Sequence, residues 1–303
     1  MIQLGITLFS PEGELPPAHS IESNPYLNNL VPAPCTWQFN FKFSLENDMY
    51  AQESTSMLQK AGIDFEKHDS QGIEPNDFGA LLMTSGLVLL DDVHWISFHS
   101  GYDFGYLMKI MLCKPLPDDE VEFHKLLNIF FPSVYDIKFL VKHAIRNQLI
   151  NSNNSQLSPQ ATQVLNNITS SQKSGLQDIA EELGIKRIGV AHQAGSDSLV
   201  TGELFWKMRQ VIFNGVIDEE KYSGKIWGLN GVMPALPPSA TPNLNGATIY
   251  TNGGTPSTPH NLPAGLTSNH TPGPHPPENR GMGSLTPGAG GGVFGAFQFN
   301  KPG

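Results

Sequence analysis

The sequence predicts an α/β fold in which a mixed sheet is flanked by helices, and three observations carry that prediction. Two strand-like segments open the chain, two later apolar strands each run into an amphipathic helix, and segments with apolar positions every three or four residues fill the rest. These patterns stop near residue 228, so residues 1–228 are expected to form one folded domain and 229–303 a disordered Gly/Pro-rich tail.

In order along the chain, "IQLGITLF" at 2–9 and "TWQFNFKF" at 36–43 alternate or cluster as strands. Residues 10–35 between them carry prolines and asparagines that break both periodicities and are expected as a loop. "ENDMYAQESTSMLQKAG" places Met49, Tyr50, Met57 and Leu58 near one helical stripe, with Gly62 as the stop. A second helix opens after Glu74, with Pro75 in its first turn, where the missing N–H has no intrahelical partner to lose. "HWISFHS" at 94–100 is a buried strand and "GYDFGYLMKIMLC" the helix that follows it. "PDDEVEFHKLLNIFF" is amphipathic, with its acidic start favoured by the helix macrodipole. "SVYDIKFLVKHA" runs from strand into helix, and "SGLQDIAEELG" is a helix stopped by Gly184. Residues 147–174 read as an inserted loop unless "ATQVLNNI" forms a short helix, and "HQAGSDSLVTGELFWKMRQVI" is a long helix.

Composition removes several function classes. Two cysteines in 303 residues, Cys35 and Cys113, supply neither a disulfide framework nor a four-thiolate zinc site and match a reducing compartment. No apolar run is long enough to cross a bilayer, so no membrane partner is expected. A net charge of -10 argues against coating nucleic acid through bulk charge, so any such contact must be local. In residues 231–303, Gly and Pro make up 27 of 73 positions and only Glu278, Arg280 and Lys301 are fully charged, too little apolar surface to offset chain entropy. Phe294, Phe297 and Phe299 are the tail's possible short-motif anchors.

The informative positions are two aspartates that open helices inside apolar sequence. Asp103 follows a strand expected to be buried, where a lone Asp is ordinarily a helix cap. Asp197 lies five residues after His192, and small Ala194, Gly195 and Ser196 between them let two backbones approach closely. His94 and His99 flank Trp95 at a spacing that sends them to opposite strand faces, which makes a zinc pair unlikely to form. Lys138, Lys142, Lys186 and Arg187 are expected as solvated surface.

His192-x-Ala194-x-x-Asp197 resembles the third exonuclease motif of the DEDD superfamily of 3'-to-5' exonucleases, and Asp103 with Leu107 resembles its second. "LLMTSGLVLLDDVHWISFHSGYDFGYLMKIM", "FFPSVYDIKFL" and "RIGVAHQAGSDSLVTG" together look like the CAF/Pop-type catalytic subunit of the CCR/NOT deadenylase complex, over residues 2–227. The resemblance implies a ribonuclease H-like fold and a poly(A)-specific 3'-exoribonuclease acting on the 3' end of poly(A) RNA. It implies Asp103 and Asp197 as ligands of Mg²⁺ or Mn²⁺, two ions about 4 Å apart in the full family site, with His192 as general base. His99 and Phe104 are its weak substrate-binding candidates through base stacking. The implied partners are the NOT scaffold subunit and the leucine-rich-repeat nuclease of the complex, and the implied location is cytoplasmic and nuclear.

The family carries its first carboxylates as Asp-x-Glu on a central strand, and this sequence starts after that point. The expectations are therefore that the catalytic ions bind poorly and that the strands at 2–9 and 94–100, normally its neighbours, lack a ladder on their facing edges. Asp64-Phe65-Glu66 has the wrong surroundings to substitute. A non-catalytic interaction subunit of the same complex is the alternative reading.

Overall fold

A computed structural model describes residues 1–15, 35–150, 157–172 and 174–229. The expected tail at 230–303 and most of the loop at 10–35 lie outside the described residues. Strands β1 (Gln3–Thr7) and β2 (Thr36–Asn40) form an antiparallel pair, with Gln3 opposite Asn40 and Thr7 opposite Thr36. Strands β3 (His94–Ser97) and β4 (Ser133–Asp136) form a parallel pair, with His94 opposite Ser133 and Ser97 opposite Asp136. Antiparallel and parallel pairing thus coexist, and among the described residues β1 and β3 share no ladder.

Between β2 and β3 lie α1 (Gln52–Lys60), α2 (Phe65–Gln71) and α3 (Pro75–Thr84). Gly62 follows α1 at φ +92°, a conformation that favours glycine and ends the helix where the sequence predicted. Pro75 occupies the first position of α3, with Glu74 as N-cap. The stripe predicted for α1 divides: Met49 and Tyr50 precede the helix and Met57 is exposed, while Tyr50 and Leu58 pack on Phe43, Ile63 and Phe65. Asp64 is the N-cap of α2, accepting from the Lys67 N–H at 3.1 Å, which gives the Asp64-Phe65-Glu66 segment a structural duty.

After β3 come α4 (Gly101–Leu112) and α5 (Glu120–Phe130), and after β4 come α6 (Ile137–Ile150), α7 (Pro159–Ser170), α8 (Leu176–Glu182), α9 (Ala194–Val211) and the short α10 (Glu219–Tyr222). The segment at 147–174 is thus largely helical: α6 runs through Asn147, and α7 realises the "ATQVLNNI" helix with Ser158 capping it.

Alternation along β3 and β4 separates two cores. Ile96 and Tyr135 face one built from α6, α7, α8 and α9, while Trp95 and Val134 face the other, built from α3, α4 and α5. Helix α9 packs on β1, β2 and β3, so it joins the two strand pairs that hydrogen bonds do not.

Candidate active site

Asp103 is the third residue of α4 and stands just beyond the end of β3. The corner between them is tight: His99 adopts φ +58°, Ser97 and Ser100 share a hydroxyl hydrogen bond at 2.6 Å, and the Ser97 hydroxyl donates to the Tyr135 carbonyl at 3.2 Å. The Asp103 side chain is exposed at this corner while its carboxyl is crowded by protein. Burial, and secondarily the negative charge of Asp136, raise that carboxyl to about 6. Among the described residues no cation pairs with it.

His99 lies half-buried at the same corner, its Nδ1 3.3 Å from the Lys138 Nζ. Burial, followed by the Lys138 charge, lowers its imidazole to about 4, so it is neutral at physiological pH. Phe104 is not available to a substrate: it is 2% exposed and wedged between Phe131, at 4.8 Å between ring centroids, and Trp95, at 6.2 Å. The side chain following Asp103 points into the core, so its expected base-stacking role is withdrawn.

Asp197 sits in the first turn of α9, positioned by a different device. The first N–H groups of a helix lack intrahelical partners. Here Ala194 N donates to the Gln3 side-chain oxygen at 3.4 Å and Gly195 N to that of Gln38 at 3.0 Å, so β1 and β2 hold the helix start. The Gln193 side chain ties the same point to Gln3, Gln38 and the Ala61 carbonyl. A Cβ on Gly5 would overlap the Ala194 carbonyl, so the close approach predicted from the small residues is real, with Gly5 supplying the other half. Thr7 and Ser198 complete the seam with a hydroxyl contact of 2.7 Å.

The Asp197 carboxylate already has a cation. Arg187 Nη1 donates to its Oδ1 at 2.5 Å and to the Ser196 hydroxyl at 3.1 Å, while Arg187 Nε donates to the Gln177 side chain of α8 at 2.6 Å. With its side chain only 11% exposed, Arg187 is not the solvated residue the sequence suggested. His192 is exposed and adopts φ +65°, in the loop that leads into α9.

Both aspartates therefore open helices, α4 beyond the end of β3 and α9 packed across β1, β2 and β3. Carboxylate oxygens are the donors a hard divalent cation selects, and the uncompensated Asp103 suits one. Among the described residues, however, no three His, Cys, Asp or Glu side chains converge into a metal-binding group. Two residues of the site were missed in the sequence. Arg187 carries no local pattern, its partner being ten residues away. Asp136 was visible as an acidic residue in the apolar run "SVYDIKF", which is a signal for a buried, satisfied carboxylate.

Comparison with known proteins gives a consistent answer. Residues 87–205 match the family model described as CAF1 family ribonuclease. The chain is 40% identical over 267 residues to the poly(A) ribonuclease pop2 of Schizosaccharomyces pombe, covering 85% of this chain and 68% of that one. It is 41% identical over 230 residues to the probable CCR4-associated factor 1 homolog 7 of Arabidopsis thaliana, covering 76% and 70%. Among solved structures it resembles S. pombe Pop2p in its Mg²⁺- and Mn²⁺-bound form, with a TM-score of 0.59, 45% identity, and coverage of 75% of this chain and 74% of that chain. It also resembles a structure of the yeast NOT1 MIF4G domain co-crystallised with CAF1, with a TM-score of 0.53, 29% identity, and coverage of 75% and 74%.

Proposed function

The chain belongs to the CAF1 family of ribonucleases, and on that premise we propose that it shortens poly(A) tails from the 3' end as the nuclease of a deadenylase assembly. The observation that carries this reading is Asp103: a carboxylate at a strand end, opening a helix, crowded by protein and by a second carboxylate, with no cation beside it among the described residues. Asp103 and Asp197 would hold Mg²⁺ or Mn²⁺, which would supply charge to offset that developing on the phosphate oxygens. The exposed His192 imidazole accepts the proton of the attacking water at a ring nitrogen. The water oxygen bonds to phosphorus, the bond to the 3'-oxygen breaks, and the 3'-alkoxide released takes a proton from solvent water to become the new terminal hydroxyl. The half-buried His99, neutral and held by Lys138, lies at the mouth of the Asp103 corner as the remaining candidate for a base contact.

The catalytic unit in this proposal is residues 1–228, with 229–303 as an appendage. Its partners are the NOT scaffold, supported by the likeness to a NOT1-bound CAF1, and the leucine-rich-repeat nuclease of the complex, and its places of action are cytoplasm and nucleus. Asp103→Ala and Asp197→Ala should each lower Mn²⁺-dependent shortening of an adenylate oligomer about 1000-fold or more. Shortening within tenfold of the parent in either variant overturns the site.

One observation favours a second reading, a non-catalytic interaction subunit: Arg187 already neutralises Asp197, and no three-ligand group forms among the described residues. Capture of the NOT1 MIF4G domain by a chain that shows no nuclease activity with Mg²⁺ or Mn²⁺ would establish it.

A further inference from the structure

Among the described residues four aspartates cap helices or strand–helix junctions, and one differs in kind. Asp64, Asp119 and Asp218 are exposed N-caps, each accepting the N–H three residues on, from Lys67, Glu122 and Lys221 respectively. Asp136, at the junction of β4 and α6, is 1% exposed and accepts five backbone N–H groups. Its Oδ1 takes those of Lys138 at 2.9 Å and Phe139 at 3.4 Å, the ordinary duty of a cap. The same oxygen takes His99 N at 2.9 Å, and Oδ2 takes Ser100 N at 3.3 Å and Trp227 N at 3.2 Å. Three of the five bonds therefore reach outside its own helix.

Two of those bonds land on the corner that precedes Asp103. His99 is left-handed, a conformation that is costly for a non-glycine residue and persists only when its surroundings enforce it. Ser100, the N-cap residue of α4, makes no side-chain cap bond to its own helix. The start of α4 is thus fixed from β4, not from within. Asp103 lies three residues beyond Ser100 in the same helical turn, so a displacement of Ser100 is carried to the carboxyl, and metal sites tolerate only about 0.5 Å of error.

We infer that Asp136 is a positioning residue of the nuclease site: its carboxylate clamps the β3–α4 corner and, through Ser100, sets where Asp103 stands. The inference rests on the reading of Asp103 as a metal ligand, so its test separates the clamp from the ligand. In Asp136→Asn the side-chain nitrogen cannot accept an N–H. Amide hydrogen exchange at His99 and Ser100 should accelerate about 10- to 100-fold. Mn²⁺-induced broadening of amide resonances at residues 101–104 should need about tenfold more metal, the usual cost of losing a partner that orients a ligand. Leu165→Ala, a cavity in the far core, serves as a destabilised control and should leave both readouts within twofold.

Unchanged exchange at His99 and Ser100 would overturn the clamp. Faster exchange with unchanged Mn²⁺ response would overturn the positioning role. Absence of broadening at 101–104 in the parent chain would instead refute Asp103 as a ligand, and the inference with it. Should Asp136→Asn not fold, the parent chain decides: amides of His99, Ser100 and Trp227 share one acceptor and should exchange through a common opening, and unrelated opening energies would refute the clamp.

Discussion

Asp103 and Asp197 occupy the same local position, the first turn of a helix, and differ in everything around it. The Asp103 corner is organised by a buried anion, Asp136, and burial, followed by the charge of that anion, drives the Asp103 carboxyl up to about 6, with no cation beside it among the described residues. The Asp197 corner is organised by neutral side chains, Gln3, Gln38 and Gln193, and by a cation, Arg187, seated on the carboxylate itself. One corner is charge-deficient and the other charge-balanced. A pair of acids read as equivalent ligands in the sequence therefore starts from unequal states, and a divalent cation gains more from meeting Asp103 than from competing with Arg187 for Asp197.

The largest expected effect tests whether the Asp197 corner depends on close approach. Gly5→Ala puts a methyl into the Ala194 carbonyl, and neither backbone can yield without parting β1 from α9. Denaturant unfolding should show a loss of about 3 kcal/mol. A loss below about 0.5 kcal/mol would mean that the seam is loose and that Asp197 is not held from β1.

Next comes Arg187→Gln, which removes the cation while keeping hydrogen-bonding capacity. Asp197 is 34% exposed, so water screens part of the charge left behind. A loss of about 2 kcal/mol in metal-free buffer is expected, with Mn²⁺ recovering part of it. If unfolding midpoints with and without Mn²⁺ move together, metal and arginine do not share this carboxylate.

The comparison is sharpest where the two acids should respond with opposite sign. The folded-state carboxyl of Asp103, at about 6, lies above the ordinary aspartate value of 3.8, so the folded chain holds its proton more tightly than the unfolded chain does. Charging it destabilises the fold as pH rises from about 4 to about 6, and the penalty is complete above that window. Asp103 is exposed as a residue, so water screens part of this penalty. Asp103→Asn should therefore raise the melting temperature by about a degree or two at pH 7.5 without metal and by nothing near pH 3.5, whereas Asp197→Asn should lower it at pH 7.5. Shifts of the same sign at pH 7.5 would dissolve the contrast.

The two corners also differed in how much of them the sequence disclosed. Strand and helix periodicity located β3, α4 and α9, and the small residues after His192 announced a close approach, because those signals are local. What stayed hidden is long-range. Gly5 meets Ala194, Arg187 meets Asp197, and Asp136 meets His99 and Trp227 only after the chain folds, and no spacing rule connects such pairs. One tract left open between loop and helix and one stripe that divided share a related reason. The segment at 147–174 is polar on most faces yet buries Ala161, Val164, Leu165 and Ile168, while Met49 and Met57 are apolar yet exposed. Burial follows which face meets a neighbour, and composition does not report it.

Phe104 gives the smallest effect and bears on substrate. It follows Asp103 in sequence, which suggested a stacking surface, but the helical turn that brings Asp103 outward sends Phe104 inward against Trp95 and Phe131. Phe104→Leu keeps most of the buried volume and loses the aromatic contacts, so it should cost about 1 kcal/mol in denaturant unfolding. Because the ring never reaches the surface, the preference for adenylate over uridylate oligomers should be unchanged. A shift in that preference with unaltered stability would place Phe104 against RNA and reverse the inward assignment. If preference and stability stay as expected, base discrimination at the Asp103 corner must come from residues that face outward there, among them His99, left-handed and neutral beside Lys138, and the exposed Tyr106.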